Sequence, residues 1–597
     1  MNSKRMIATL VAMLVCIVAT AQKTWTGTTS TAWNTSTNWS PAGAPAATDN
    51  VTIPSAPANQ PVISGTTGVC ANLTINAGAS LSVSATSSNN AQLTASGSTV
   101  ISGTLTLGGT ITRTGKLIVN NITWASGSSM SGFLNSSIEV SGNWEFASGS
   151  SAAMGLSSVV FTGSTSTLIT SNSASSSFGV TTFGKNSGNS VTINSASTAS
   201  LRFGSTINIS SGNYLMCQAN ITVIMAGNLV NAGNFSFSNG TVSLERTSGT
   251  QSIAVNTGDV FNNLNINTGG TATINNSLTV MKDFTIQAGT FDPQNNNLIV
   301  FGNWTNSVGP SGFTEGTGRV VFSGGNYHQY CSNETFYTLE VHKAAGGAFR
   351  LNGTTVTCSR YDWTAGAVDV LNGGTFTAND LMDDAIAGSF YLNPSCTINL
   401  TNYGGNIDLR GSLYIYGGNF NVYGGINPSW WPYQGNASIT MSGGTLNFAD
   451  QGIIIRTDAT YSFTDNITGG TIRTAGNLGC SRSDFIPAAG TFEMYGSTNA
   501  TLSVTAGNLF NLNIGKDPGT TVEIMGTTTI NGILNINGGT VTAANRIINT
   551  SNNINLNAGS TLNLTGGSQL NVTGGRAFTI ATGGTLSVTG TAGSNSR

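Results

Sequence analysis

The chain has 597 residues, of which 76 are glycine and only 7% are charged, and 21 Lys and Arg against 23 Asp and Glu give a net charge of −2. A hydrophobic fraction of 39% with so few charges excludes a disordered chain, and the lack of a basic surplus argues against a nucleic-acid-binding surface. Two histidines argue against a histidine-rich metal site, and no apolar run beyond the N-terminus is long enough for a transmembrane span.

Residues 1–21 have the pattern of a secretory signal peptide. Lys4-Arg5 is positively charged, residues 6–19 are apolar, and Ala19-Thr20-Ala21 matches an A-x-A cleavage motif. We therefore expect a secreted protein whose mature chain begins at Gln22.

Residues 22–62 are predicted to form an N-terminal capping module. The segment is rich in tryptophan and proline, namely Trp25, Trp33, Trp39, Pro41, Pro45, Pro54, Pro57 and Pro61. Tryptophan covers apolar area and proline cannot extend a strand ladder, so both suit the end of a stack of strands. The alternative is an aromatic platform that binds sugars.

Residues 63–356 are predicted to be β-helix repeats. Apolar pairs at i and i+2, such as Leu73/Ile75 and Leu81/Val83, indicate short strands with one buried face. A longer repeat, apolar-x-x-(Leu/Thr)-x-apolar, overlies them, and three of its copies carry a lysine seven residues after the first position: Lys185, Lys343 and Lys516.

Residues 357–484 are predicted to be an irregular β-helix section with charged and aromatic insertions. Its candidate carbohydrate-binding residues are Trp430, Trp431, Tyr433, Tyr414 and Tyr416. Flat aromatic rings suit the C–H faces of sugars, although an aromatic plug over an insertion would use the same residues.

The same section contains a group of acids that could hold Ca²⁺: Asp380, Asp383 and Asp384. Residues 379–388 also read as one short helix, with Asn379 as N-cap, the acids at the positive end of the dipole and Gly388 as terminator. The helix is the favoured interpretation, and no cofactor is otherwise expected.

Residues 485–597 show the repeat most regularly. Apolar pairs begin every eight residues, and glycine-containing turns separate them: Ile554/Leu556, Leu562/Leu564, Leu570/Val572, Phe578/Ile580 and Leu586/Val588. Three such sides make a turn of about 24 residues, which predicts an all-β fold, a parallel β-helix. Because we find no C-terminal cap, we expect further sequence or a partner to cover this edge.

The scarcity of charge fits this fold. Like charges repeated at the strand spacing of about 4.8 Å would repel, whereas outward Thr, Ser and Asn can form uncharged ladders.

Six cysteines remain in the mature chain, which is too few for a disulfide scaffold. Cys331 and Cys358 are close enough in sequence to bridge neighbouring turns. They could equally be small apolar residues of the core.

Several motifs resemble the repeat of large secreted surface proteins of Bacteroidetes. They are Gly302-Asn303-Trp304, residues 316–324 and 336–343, and the opening Trp25-Thr26-Gly27 with Asn38-Trp39-Ser40. The resemblance implies an adhesin-like protein exported by type IX secretion to the exterior of the outer membrane, here without the usual C-terminal sorting domain.

These observations favour a secreted, non-catalytic structural or adhesive β-helix whose partners are surface glycans or extracellular polysaccharide. One alternative is a polysaccharide lyase or glycoside hydrolase acting through residues 360–484. Another is a carbohydrate-binding module in the same region.

Overall fold

The computed structural model describes residues 21–382, 385–401, 408–424, 429–430, 436–449, 452–456 and 460–590. This part of the chain is almost entirely β, with two short 3-10 helices, Ser36–Asn38 and Pro310–Gly312, and no α-helix. The chain divides into two compact units, Met1–Glu245 and Arg246–Arg597. Together they contain about 23 turns of β-solenoid.

The strands of the first unit, β1 to β24 in chain order, span Gln22–Trp25, Trp39–Ser40, Asn50–Ile53, Val62–Ser64, Thr67–Cys70, Asn72–Ile75, Ser80–Ser84, Ala91–Ile101, Thr104–Gly108, Gly115–Trp124, Ser129–Gly132, Ser136–Val140, Trp144–Phe146, Ser158–Phe161, Thr167–Ser171, Ser177–Phe178, Thr181–Phe183, Ser190–Ile193, Leu201–Phe203, Ile207–Ile209, Tyr214–Cys217, Thr222–Met225, Leu229–Asn231 and Asn234–Leu244.

The strands of the second unit, β25 to β60, span Thr250–Ile253, Val260–Ile274, Leu278–Val280, Phe284–Asp292, Leu298–Val300, Trp304–Asn306, Arg319–Gly324, Gln329–Tyr330, Glu334–Lys343, Ala348–Asn352, Thr355–Ala365, Ala367–Leu371, Thr375–Ala378, Ala385–Leu392, Thr397–Thr401, Asp408–Ile415, Asn419–Tyr423, Ser429–Trp430, Ala437–Met441, Thr445–Phe448, Ile453–Ile455, Phe463–Ile467, Thr471–Thr474, Leu478–Ser481, Thr491–Gly496, Ala500–Ala506, Asn511–Lys516, Thr521–Ile524, Thr528–Ile530, Leu534–Ala544, Ile547–Thr550, Ile554–Leu556, Ser560–Thr565, Gln569–Val572, Phe578–Ile580 and Thr585–Thr589.

Strands stack in parallel on the equivalent strands of the next turn, which confirms the predicted β-helix. Leu534 pairs with Ile554, an offset of 20 residues, and Thr181 pairs with Ile207, an offset of 26. The predicted turn of about 24 residues lies within this range. The offset varies because corner loops between the strands differ in length, whereas the strand register does not tolerate a one-residue slip.

Alternate residues of each strand point inward, as the i, i+2 pairs predict. Leu562 and Leu564 are buried, and their outward neighbour Asn563 is only partly covered. In the first unit the inward rings also stack from turn to turn: the ring centroids of Phe178 and Phe203 lie 5.1 Å apart at 16°. Burial of these side chains supplies most of the stability, at roughly 25 cal/mol per Å² of apolar area.

The tryptophans of residues 22–62 pack on one another at the start of the first unit. Trp25, Trp33 and Trp39 are at most 3% exposed. The Trp39 ring meets the other two edge-on at 4.9 and 4.8 Å, and its Nε1 donates a 2.7 Å hydrogen bond to the Trp33 carbonyl oxygen. A sugar platform needs exposed ring faces, so that alternative is wrong for these three residues. Strands β1 and β2 also pair antiparallel, unlike the parallel stack, as expected of an end structure.

The later predicted segments continue the stack. Strands β35 to β48 pair in parallel through the described parts of residues 357–484. The division between the compact units, at Glu245/Arg246, does not coincide with a predicted boundary. In the last described turn the inward side chains are more exposed to solvent: Ile580 and Val588 are 46% and 51% exposed.

Candidate functional site

The predicted aromatic residues are only partly described. Trp431 and Tyr433 lie outside the described residues, and of Trp430 only the backbone, in β42, is described. Tyr414 lies in β40, and Tyr416 follows that strand with 43% of its surface exposed.

A second tyrosine, which the sequence analysis did not single out, stacks on Tyr414. Tyr391 of β38 is its register partner, and the two ring centroids lie 4.4 Å apart with planes inclined by 3°. Rings that stack across neighbouring strands turn their faces towards each other. The stack therefore covers one face of each ring and leaves the other face, the edges and the hydroxyl groups outside the contact.

An ion pair continues the line of outward residues beyond the tyrosines. Arg350, Asp369 and Tyr391 are register neighbours on β34, β36 and β38. Arg350 Nε and Nη2 lie 2.8 and 2.7 Å from Asp369 Oδ2, and Nη1 donates a 3.3 Å hydrogen bond to the Tyr330 hydroxyl group. Burial, followed by the charge on Tyr414 and other neighbours, raises the pKa of Tyr391. These strands belong to a seven-stranded sheet, and we call Tyr330, Arg350, Asp369, Tyr391 and Tyr414 the tyrosine ladder.

Of the predicted calcium group, only Asp380 belongs to the described residues. Asp383 and Asp384 lie outside them, and the Asp380 carboxylate is 3.9 Å from Arg360 Nε. Within the described ranges no three His, Cys, Asp or Glu side chains are placed to hold a metal ion. The short helix predicted over residues 379–388 is wrong, because Ala385–Leu392 is strand β38. Pairing with β36 and β40 outweighs the local capping pattern.

Three charged residues on the sheet that contains β31, β33 and β35 form an ion-pair network. Arg319 Nη1 contacts Glu340 Oε2 at 2.5 Å and Asp362 Oδ2 at 2.9 Å, and Thr364 donates a 3.0 Å hydrogen bond to Glu340. Burial raises the pKa of Glu340, but hydrogen bonds from Arg319 and Thr364 outweigh it and hold the pKa below its ordinary value. A glycosidase needs one carboxyl group that stays protonated, and this environment favours the opposite state.

The cysteines are buried free thiols in the described chain, including Cys331 and Cys358. The predicted bridge between these two is not formed. The register explains this, because Phe336, and not Cys331, lies opposite Cys358. Burial raises the pKa of both thiols, so they behave as small apolar core residues.

The outward side chains of the second unit also form a long polar column on one sheet. Its members are register neighbours on successive turns: Thr377, Asn399, Asn421, Asn447, Arg473, Glu493, Asn513, Asn535, Asn555 and Thr579. Its amides bond each other directly. Asn421 Nδ2 donates to Asn399 Oδ1 at 2.9 Å, and Asn555 Nδ2 donates to Asn535 Oδ1 at 2.8 Å. We call this set the asparagine column.

Comparison with known proteins adds one local similarity. Residues 24–130 match a family described as a domain of unknown function, DUF8693. No curated protein and no solved structure matches the chain. Among the described residues, no helix has the length and apolar character needed to cross a membrane.

Proposed function

We propose that this protein is a secreted, non-catalytic β-solenoid that serves as a structural or adhesive component of the cell surface. The observation that carries the proposal is the asparagine column. Its outward amides hydrogen-bond to one another from turn to turn, as in Asn447 Nδ2 to Asn421 Oδ1 at 3.3 Å. Polar groups used in this way stabilise stacking, as asparagine ladders do in other stacked parallel sheets.

The charged groups support the same function. Catalytic groups are expected to have displaced pKa values and to face a cleft. Here the strongly displaced groups serve packing. Burial lowers the pKa of Lys343 to about 8, and its Nζ donates to the Ser323 carbonyl oxygen at 3.3 Å. Burial raises the pKa of Glu334 to about 7, and its carboxylate accepts hydrogen bonds from Trp304 and Asn306.

The alternative of a lyase or hydrolase has weaker support. Its best acid pair is Glu340 and Asp362, which are register partners on β33 and β35. Both carboxylates contact Arg319, and the pKa of Glu340 is held below its ordinary value, which disfavours a general acid.

Export to the cell exterior is part of the proposal, and the predicted signal peptide supports it. A coating or adhesive role also predicts resistance to proteolysis, because a stacked strand ladder leaves few accessible backbone segments. Surface glycans and extracellular polysaccharide are the proposed partners.

Two assays test this function, one on the purified full chain and one on bacteria. Neutral and uronate-containing polysaccharides are incubated with the purified chain while reducing ends and unsaturated uronates are measured, and bacteria displaying or lacking the protein are compared for attachment to polysaccharide-coated surfaces. We expect no turnover and reduced attachment without the protein. Release of reducing ends or unsaturated products that Arg319→Ala abolishes would overturn the proposal in favour of an enzyme.

A further inference from the structure

A cleft of about 550 Å³ lies beside the tyrosine ladder. Gly347, Ala348 and Ala367 contribute small side chains or none to its lining, and Arg350, Asp369 and Tyr391 contribute polar groups. The volume falls within the usual range of about 300–1,000 Å³ for small-ligand sites. No sequence motif singles out these residues.

The polar groups of this cleft are fixed before any ligand arrives. Asp369 is 9% exposed, and its Oδ1 accepts a 3.3 Å hydrogen bond from Asn393 while Oδ2 faces Arg350. Arg350 donates hydrogen bonds from Nε to Asp369 and from Nη1 to Tyr330, and its Nη2 lies 2.7 Å from Asp369 Oδ2. The other N–H groups of the guanidinium are available to a ligand.

The charge balance of the cleft selects against charged ligands. The guanidinium of Arg350 and the carboxylate of Asp369 neutralise each other at 2.7 Å. An acidic sugar that binds the remaining donors of Arg350 would lie beside the Asp369 carboxylate, and a basic peptide at Asp369 would lie beside the Arg350 guanidinium. In either case a like charge opposes binding in a partly buried cleft, so a neutral ligand is favoured.

We infer that this cleft binds a neutral saccharide, with hydroxyl groups on Arg350, Asp369 and Tyr391 and a C–H face against the glycine and alanine residues. The Tyr391–Tyr414 stack extends the polar edge by one more strand, so a linear chain lying across successive strands fits the site better than a single ring. The inference deepens the proposed adhesive function by naming its ligand class.

The test uses the full chain and isothermal titration with hexasaccharides of β-1,4-linked glucose, xylose and mannose, an oligogalacturonate and an oligolysine. Ala345→Trp places a large side chain at the cleft from an exposed turn. Ala558→Trp is the matched control, because Ala558-Gly559 is an equivalent turn with Gly559 at φ 76° against 87° for Gly346. Arg350→Gln removes donors, and Arg473→Gln is its control at the Arg473–Glu493 pair.

We expect at least one neutral hexasaccharide to bind, with a loss of about tenfold or more in Ala345→Trp and Arg350→Gln and none in the two controls. Binding of no neutral hexasaccharide, preference for the oligogalacturonate or the oligolysine, or equal binding by Ala345→Trp would each overturn the inference. Circular dichroism confirms that each variant is folded. Turnover assays on the same samples test the non-catalytic function separately, because a chain can bind a saccharide without cleaving it. Absence of binding would overturn only the inference, whereas turnover would overturn the proposed function.

Discussion

The Lys516 ammonium donates a 2.6 Å hydrogen bond to the carbonyl oxygen of Ala475, 41 residues earlier in the chain. It donates a second, 2.8 Å long, to the carbonyl oxygen of Tyr495 in the intervening turn. Lys185 repeats the arrangement with carbonyl oxygens 23 and 44 residues earlier. Lys185 and Lys516, two of the lysines that recur in the sequence repeat, therefore each join three successive turns.

The third recurring lysine shows how the position can vary. Lys343 Nζ bonds the carbonyl oxygen of the preceding turn, at Ser323, and lies 4.0 Å from the centre of the Tyr327 ring. The Tyr327 hydroxyl group donates to the Phe301 carbonyl oxygen, which is the acceptor that the pattern of Lys185 and Lys516 would assign to lysine. Tyr327 thus makes the hydrogen bond to the earlier turn that a lysine makes in the other two copies.

We expect Lys516→Met to lower the free energy of unfolding by about 2 kcal/mol, because two carbonyl oxygens lose their charged donor. Urea denaturation measures the change, and hydrogen exchange should show it concentrated in β47, β49 and β51. Lys282→Met at an exposed position is the control and should change stability by less than about 0.5 kcal/mol. Equal effects of the two substitutions would contradict a stapling role for Lys516.

The asparagine column should tolerate one charge better than two adjacent charges of the same sign. We expect Asn535→Asp to cost about 1 kcal/mol, because its Nδ2 donates a 2.8 Å hydrogen bond to Asn513. The double variant Asn513→Asp/Asn535→Asp should cost more than the sum of the single variants, since register partners carry the two charges. Additive costs in a double-mutant cycle would show that these side chains do not interact.

Glu334→Gln should become more stabilising relative to the wild type as the pH rises. Burial raises the pKa of Glu334 from 4.5 to about 7, so the folded state holds a proton that the unfolded state releases. The wild type has this stability in full below pH 4.5 and loses it as the pH approaches 7, by up to about 1.4 kcal/mol per pH unit. Glutamine cannot ionise, so the variant does not lose stability in this way as the pH rises.

Denaturation between pH 4 and pH 8 measures this difference. The exposed Glu523→Gln variant should show no comparable trend. A constant difference between Glu334→Gln and the wild type across that range would mean that Glu334 is ionised in the folded protein.

Buried thiols should make the first unit sensitive to alkali. Burial raises the pKa of Cys70 from 9.0 to about 12, so its contribution to stability is complete below pH 9 and is lost between pH 9 and pH 12. Between pH 9 and pH 12 the stability of Cys70→Ala should therefore fall less steeply than that of the wild type, by up to about 1.4 kcal/mol per pH unit. Val69→Ala, at an exposed position of the same strand, should leave the slope unchanged. Parallel slopes for Cys70→Ala and the wild type would refute the assignment.

The sequence predicts the stack well because inward residues obey a period of two. Pairs such as Ile554/Leu556 are buried as predicted. The prediction of a short helix over residues 379–388 is wrong because it uses only a local pattern of capping residues. Pairing of β38 with a strand about one turn away decides the structure instead.

The candidate site was less predictable because it depends on offsets between turns. Tyr391 and Tyr414 are register partners only because the intervening turn is 23 residues long. Arg350 lies in a segment that reads as regular repeat, and its role appears only when Asp369 is placed beside it. Sequence periodicity identifies the outward positions, but the length of each corner loop decides which of them meet.

Disulfide trapping tests the parallel register most directly. Asn535 and Asn555 are partners one turn apart, as are Asn537 and Asn557. We expect Asn535→Cys/Asn555→Cys to oxidise readily, whereas Asn535→Cys/Asn557→Cys, two residues out of register and about 7–8 Å apart, should oxidise poorly. Faster oxidation of the out-of-register pair, measured by gel shift after mild oxidation, would contradict the stacked β-solenoid on which the proposed function rests.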